Sequence, residues 1–341
     1  MKKRLYLHIG EPKCASTTLQ EYFRRATASL LECGIVYPFS YSGPLRISSG
    51  NLTGITSITE VHERLLEAID QYPDNHLLFS HEALLRHLTT SDSLSETQKL
   101  VQSLGFELHL IWIVRNDLDL LPSIVQQRSK KVRSAENPLD HPIEVIAHLG
   151  RWRYERRIRM IQEIQALAIP YHIFNLASPK PIQQLVFNAI GATPPPTLEI
   201  TRINRSLSIN EFALISSLRH LDDTAKILAD SLTLASPEKP AIKLRFNPEE
   251  QEFLRDALNP LRLEFNKHIP PEGRIDSISK EYQMKEGTVS LQQLNQLYLQ
   301  EEQLERFKTW HNSIYVRKDE LLTHAIEALK QKILRALRLK A

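Results

Sequence analysis

Two cysteines, Cys14 and Cys33, are too few for a disulfide framework, and their spacing suits neither a zinc site nor a redox C-x-x-C pair. This usage suits a reducing compartment or a fold that does not rely on disulfides, and the expected location is cytoplasmic or peripheral at the inner membrane face. Long apolar runs are also missing, and no stretch reaches the roughly 18 residues of a membrane-spanning helix. Met1-Lys2-Lys3-Arg4 leads directly into a strand pattern, without the apolar segment and cleavage site of a signal peptide. The formal charge of +3 is too small to argue for nucleic acid. Neither an internal repeat nor a low-complexity tract is present. What remains is 341 residues, 42% hydrophobic and 24% charged, enough for a full core in one large domain or two smaller ones.

The chemistry begins near the start of the chain. Residues 5–9 form an apolar run that reads as a strand. It enters a short loop with one lysine, Lys13; three hydroxyl residues follow, and then an amphipathic helix with Leu19, Tyr22 and Phe23 on one side. A helix N-terminus reached this way offers unpaired N–H groups and the positive end of a dipole to an anion. Lys13 adds a mobile charge, and Ser16, Thr17 and Thr18 add hydroxyl donors. No G-K-[ST] follows Gly10, so this is not a nucleotide-triphosphate loop.

Two further strand ends carry chemistry. Residues 108–114 read as a buried strand that ends in Arg115-Asn116-Asp117, with Ser123 eight positions after Arg115. A guanidinium is a permanent, forked donor matched to phosphate. A kinase or nucleotide hydrolase would place a magnesium-binding carboxylate at such a strand end. Arg115 stands there instead, although Asp117 keeps that rival open. Residues 77–80 read as a short strand ending in His81 and Glu82, and strand C-terminal ends of a parallel sheet gather at the ligand crevice. His8, inside the first strand, reads as packed rather than catalytic.

Pro12-Lys13-Cys14-Ala15-Ser16-Thr17-Thr18-Leu19 resembles the phosphosulfate loop of the sulfotransferases, usually P-K-T-G-T-T-x-L, with Cys14 and Ala15 as departures. Alanine fits at 15 only if φ stays negative there. Arg115 and Ser123 are similar to the family's R-D-P-x-x-x-x-x-S, with Asn116 and Asp117 replacing Asp-Pro. The resemblance implies 3′-phosphoadenosine 5′-phosphosulfate (PAPS) as donor, its 3′-phosphate held by Arg115 and Ser123 and its 5′ end by residues 13–18. Asn204-Arg205-Ser206-Leu207-Ser208 resembles an N-x-S-L-S segment of bacterial members and makes Arg205 a further phosphate contact. Ser208 and Glu211 equally form a capping-box pattern. The family also implies a general base after an early strand, here Glu82 in preference to His81. It further implies in-line transfer without a metal, with Lys13 stabilising the leaving oxygen and a carbohydrate or glycolipid hydroxyl as acceptor.

Alternating patterns predict parallel βαβ units. Helices are expected over residues 59–69, started by Ser57 and Glu60, and over 96–104, 118–131 and 148–168; a strand is expected over 171–174. Pro194-Pro195-Pro196 marks a loop, and Asn247-Pro248-Glu249-Glu250 a helix start. The expected fold is a three-layer, P-loop-like α/β domain over residues 1–275, its parallel sheet flanked by helices, with a helical extension over 276–341. That extension carries apolar stripes at Leu291, Leu294, Leu297 and Tyr298, and again from Leu322 to Leu337. It suits packing on its own domain, a dimer or an anionic membrane surface. Arg128, Lys130, Lys131 and Arg133 either line the acceptor cleft or form a solvated helix end. Arg151, Arg153, Arg156, Arg157 and Arg159 read as solvated or paired surface charges, with Trp152 on the core side. The rival functions are a nucleotide-triphosphate-dependent kinase and a non-catalytic anion-binding or scaffold protein.

Overall fold

Every side chain from Leu5 to Ile9 is buried. Leu5, Leu7 and Ile9 face one way and Tyr6 and His8 the other, which only an interior strand permits. The computed structural model describes residues 2–39, 50–52, 54–82, 84–90, 92–128, 143–194, 208, 211, 243–276 and 288–290. In it this strand, β1 (Lys3–Ile9), is the middle of a five-stranded, all-parallel sheet. The other strands are β2 (Ile35–Val36), β3 (His76–His81), β4 (Phe106–Val114) and β5 (Tyr171–Asn175), in the order β2-β3-β1-β4-β5. The described helices are α1 (Ser16–Arg25), α2 (Thr27–Glu32), α3 (Ile58–Gln71), α4 (Leu84–Leu88), α5 (Ser93–Ser103), α6 (Asp117–Arg128), α7 (Ile143–Ala166), α8 (Ile182–Ile190) and α9 (Pro248–Lys267). Among the described residues no helix is long and apolar enough to cross a membrane.

Two apolar clusters hold the layers together. Leu5, Leu7 and Ile9 pack with α3, α4, α5, α7 and α9, whereas Tyr6 packs with α1, α2 and α8. The connection after β1 therefore leaves toward one face, while those after its neighbours β3 and β4 leave toward the other. Such divergence on each side of β1, at the C-terminal ends of the strands, is where parallel sheets form their ligand crevices. Arg115 lies on one side and Glu82 on the other.

Local signals account for several boundaries. Ser57 accepts a hydrogen bond from the Glu60 N–H and starts α3, and Asn247 and Glu250 form a reciprocal capping box behind Pro248 at α9. Ser208 and Glu211 make the same reciprocal pair, at 2.8 and 3.4 Å. Two helices start earlier than their periodicity predicts, α5 at Ser93 rather than 96 and α7 at Ile143 rather than 148. Their added turns bring Leu94, Ile146 and Ala147 into the core, so packing extends what propensity alone left open. A further correction concerns residues 288–290, assigned from sequence to a helical extension. They form a short strand, β7 (Thr288–Ser290), parallel to β6 (Lys243–Arg245), as β-branched Thr288 and Val289 favour. The remainder of the extension, Lys130, Lys131, Arg133 and Arg205 lie outside the described residues, as does the Arg128 side chain.

Candidate functional site

Register assembles the site. Ile9 is level with His81 on β3 and with Trp112 on β4, so Gly10 and Glu82 leave the sheet side by side. The contact is close: a Cβ on Gly10 would sit 2.9 Å from the Glu82 Cα, which reserves this position for glycine. β4 runs on past Trp112 to Val114, about 7 Å further at the usual strand rise. That lifts Arg115 to the level of the loop, where its Nη1 donates to the Lys13 carbonyl at 3.1 Å. On the opposite side the Thr17 hydroxyl donates to Glu82 Oε1 at 3.1 Å. Lys13, Thr17, Glu82 and Arg115 are thus brought to one place.

The rest of the loop is divided between ligand-facing and structural roles. α1 starts without a side-chain cap and without an acidic residue in its first turn, and Thr18 is exposed there. Such a terminus retains its attraction for an anion. Ser16 is buried and donates to the Glu11 carbonyl at 3.3 Å. Cys14 is fully buried and its N–H bonds the Glu11 carbonyl at 3.2 Å. Burial, then the nearby Glu11 charge, push its thiol up to about 12, so it is inert. Ser123 donates to the Asp119 carbonyl of its own helix at 3.2 Å, away from the Arg115 contact.

The negative φ required of Ala15 is not what the structure holds. Ala15 has φ 60 and Lys13 has φ 67, both left-handed. The strain, about 1 kcal/mol for alanine, is tolerated because Leu19 N–H, Arg115 and the buried Glu11 over-determine the loop. Ala15→Gly is therefore expected to stabilise the fold by about 0.5–1 kcal/mol and raise Tm by about 1–3 °C in a melting scan. An unchanged or lower Tm would count against a left-handed residue 15.

The largest departure from the sequence reading is the arginine cluster on α7. Trp152 is not on the core side but 47% exposed, whereas Arg153, Arg156 and Arg157 are buried and only Arg151 and Arg159 are exposed. Arg157, fully enclosed, donates from Nε and Nη2 to both oxygens of Glu11 at 2.8 Å and from Nη1 to Asp117 Oδ2 at 3.0 Å. Arg153 also donates to Glu11. Burial alone would raise the Glu11 carboxyl, but the charges of Arg157 and Arg153 overcome this and hold it at about 2. One guanidinium thereby ties the loop after β1 to the start of α6. The signal for it was present: Glu11 is the one acid in a cationic loop, and Arg153 and Arg157 stand one helical turn apart.

Asn51, also missed, holds the other wall. Its amide donates to the Pro38 and Leu78 carbonyls at 2.9 Å and accepts from the Ser80 N–H at 2.8 Å. It stands in for a neighbouring strand beyond the end of short β2. Gly50 allows the approach, since a Cβ there would lie 1.8 Å from the Ser80 carbonyl oxygen.

Burial shapes the titration of this region. Glu82 is raised from the usual carboxylate range by burial, opposed in part by the Thr17 hydrogen bond and the Lys13 charge. His8, bonded through Nδ1 to Ser80 Oγ at 2.7 Å, and His81 are both held at about 4 by burial. His8 is packed, as expected. Each histidine is neutral when folded and takes up a proton on unfolding below its free value of 6.5. Stability should therefore fall as pH drops from about 6.5 to about 4, by up to about 1.4 kcal/mol per pH unit for each. Chemical denaturation across that range checks this, and His8→Asn should flatten the slope.

Together the described residues define an α/β protein in which Lys13, Thr17, Glu82 and Arg115 meet at the C-terminal edge of a five-stranded parallel sheet. Comparisons with family models, curated proteins and solved structures find no match.

Proposed function

We propose that the chain is a sulfotransferase of the phosphosulfate-loop type, with a P-loop-like core, moving a sulfuryl group from PAPS to a carbohydrate or glycolipid hydroxyl in the cytoplasm. The observation that carries this reading is the paired contact at 3.1 Å on each side of the cradle, Arg115 to the Lys13 carbonyl and Thr17 to Glu82. It sets a cation, a helix N-terminus and a half-buried carboxylate around one space. The donor set fits a polyanionic nucleotide: exposed Lys13, the uncapped first turn of α1, and the Arg115 guanidinium.

The donor supplies an activated sulfuryl group, and the chain's residues do the rest. Glu82 accepts the acceptor hydroxyl's proton as the oxygen bonds to sulfur, and the bond from sulfur to the nucleotide's 5′-phosphate oxygen breaks. Lys13 and the α1 amides stabilise the charge that grows on that oxygen. The raised pKa of Glu82 suits a base, and His81 serves less well because burial holds its pKa low. The kinase reading needs Asp117 for magnesium, but that carboxylate is 2% exposed and bound to Arg157. Incubation of the protein with PAPS and a panel of oligosaccharides should release adenosine 3′,5′-bisphosphate only when an acceptor is present. Consumption of ATP with magnesium, and none of PAPS, would overturn the proposal.

A further inference from the structure

A buried guanidinium without a counter-charge is costly, so its survival marks the place of an anion. Among the described residues Arg156 comes nearest to this case, because the Glu11 charge that it feels is already bonded to Arg153 and Arg157. It is 9% exposed, its Nε is enclosed without a partner, and no described residue gives it a hydrogen bond or ion pair. Among the described residues the surrounding charges are uneven: Arg153 and Arg157 pair with Glu11 and Asp117, and Arg156 makes no ion pair. Its guanidinium carbon lies over the Trp152 ring, 4.5 Å from its centre, beside an exposed indole.

The placement favours the acceptor side of the crevice. Trp152, Arg156 and Glu163 share one stripe of α7 by helical spacing. Gln98 of α5 donates to the Leu167 carbonyl just past α7 at 2.9 Å, so the end of α7 lies against the helices that follow β3, the strand that delivers Glu82. Arg156 in turn feels the Glu11 carboxylate in the loop beside Glu82. Burial lowers the Arg156 pKa to about 10, which leaves it charged at neutral pH.

We infer that Trp152 and Arg156 form an acceptor subsite for an acidic sugar, whose ring lies on the indole and whose carboxylate takes the guanidinium fork. The word acceptor rests on the sulfotransferase reading; the recognition of a carboxylated ring rests on Arg156 and Trp152 themselves.

Thermal shifts of the full chain with sodium glucuronate and with glucose, at matched ionic strength, test it. Glucuronate should stabilise the wild type and glucose should not. Arg156→Gln should weaken glucuronate binding by about ten- to a hundred-fold, with Arg156→Lys intermediate. Trp152→Ala, at an exposed position, should weaken it as well. All three variants should keep the response to adenosine 3′,5′-bisphosphate. Equal glucuronate binding by wild type and Arg156→Gln overturns the inference. So does loss of the nucleotide response in Arg156→Gln, or inorganic sulfate binding as tightly as glucuronate. If glucuronate binding depends on Arg156 while the nucleotide binds nowhere, the subsite stands and the sulfotransferase reading falls.

Discussion

Arg157→Met should cost about 3–5 kcal/mol of folding stability, the largest loss expected of any single exchange on α7. Two carboxylates, Glu11 and Asp117, depend on that guanidinium, and both are nearly inaccessible to water. Removing it leaves one carboxylate dependent on Arg153 and the other without a described cation. Methionine fills much of the volume and already suits the aromatic surroundings, since Arg157 lies 5.1 Å from the Tyr154 ring centre and 6.0 Å from that of Phe265. The loss is therefore electrostatic rather than a cavity. The combined change Arg157→Met, Asp117→Asn should regain most of it, because Glu11 keeps Arg153 as its partner and no uncompensated carboxylate is left behind. Midpoints of urea unfolding at constant m-value would read both. A loss under about 1 kcal/mol for the single variant would mean that the network is solvated and does not brace the loop.

Glu82→Gln should reduce sulfuryl transfer by about 10²–10⁴-fold, the usual contribution of a positioned general base. Glutamine can still accept the Thr17 hydroxyl, so the cradle should keep its shape and its nucleotide. The effect should fall on kcat. In the wild type, rate should decline as pH drops through the Glu82 pKa, which burial raises above the ordinary glutamate value of 4.5. Thr17→Val removes a hydrogen bond that lowers that pKa and should move the acid limb to higher pH. A full-rate Glu82→Gln enzyme would transfer the base role to another group.

Local patterns carried much of the architecture. The strand at β1, the loop beyond it and the helix that follows were readable from short-range signals, although α1 starts at Ser16, within the hydroxyl run rather than after it. The two faces of β1 explain why its histidine is packed. What escaped the reading depends on contacts far apart in the chain. Glu11 and Arg157 are separated by 146 positions, and the one-turn spacing of Arg153 and Arg157 does not by itself say that their face turns inward. The same blindness put Trp152 inside and Arg156 outside, the reverse of the structure. Ala15 failed for a different reason: a left-handed alanine is uncommon enough that propensity argues against it, and only the tethered loop permits it. Asn51 replaces part of a strand, which no periodicity reports.

The central claim is that Lys13 and Arg115 grip one nucleotide that carries phosphate at both its 3′ and 5′ positions. Its most direct test is a thermal-shift comparison of adenosine 3′,5′-bisphosphate with ATP–magnesium on the wild type, Lys13→Ala and Arg115→Ala. The bisphosphate should raise the wild-type Tm in a concentration-dependent way and ATP–magnesium should raise it less, with both variants losing the response. Stabilisation by ATP–magnesium alone, or an undiminished bisphosphate response in Arg115→Ala, would contradict it.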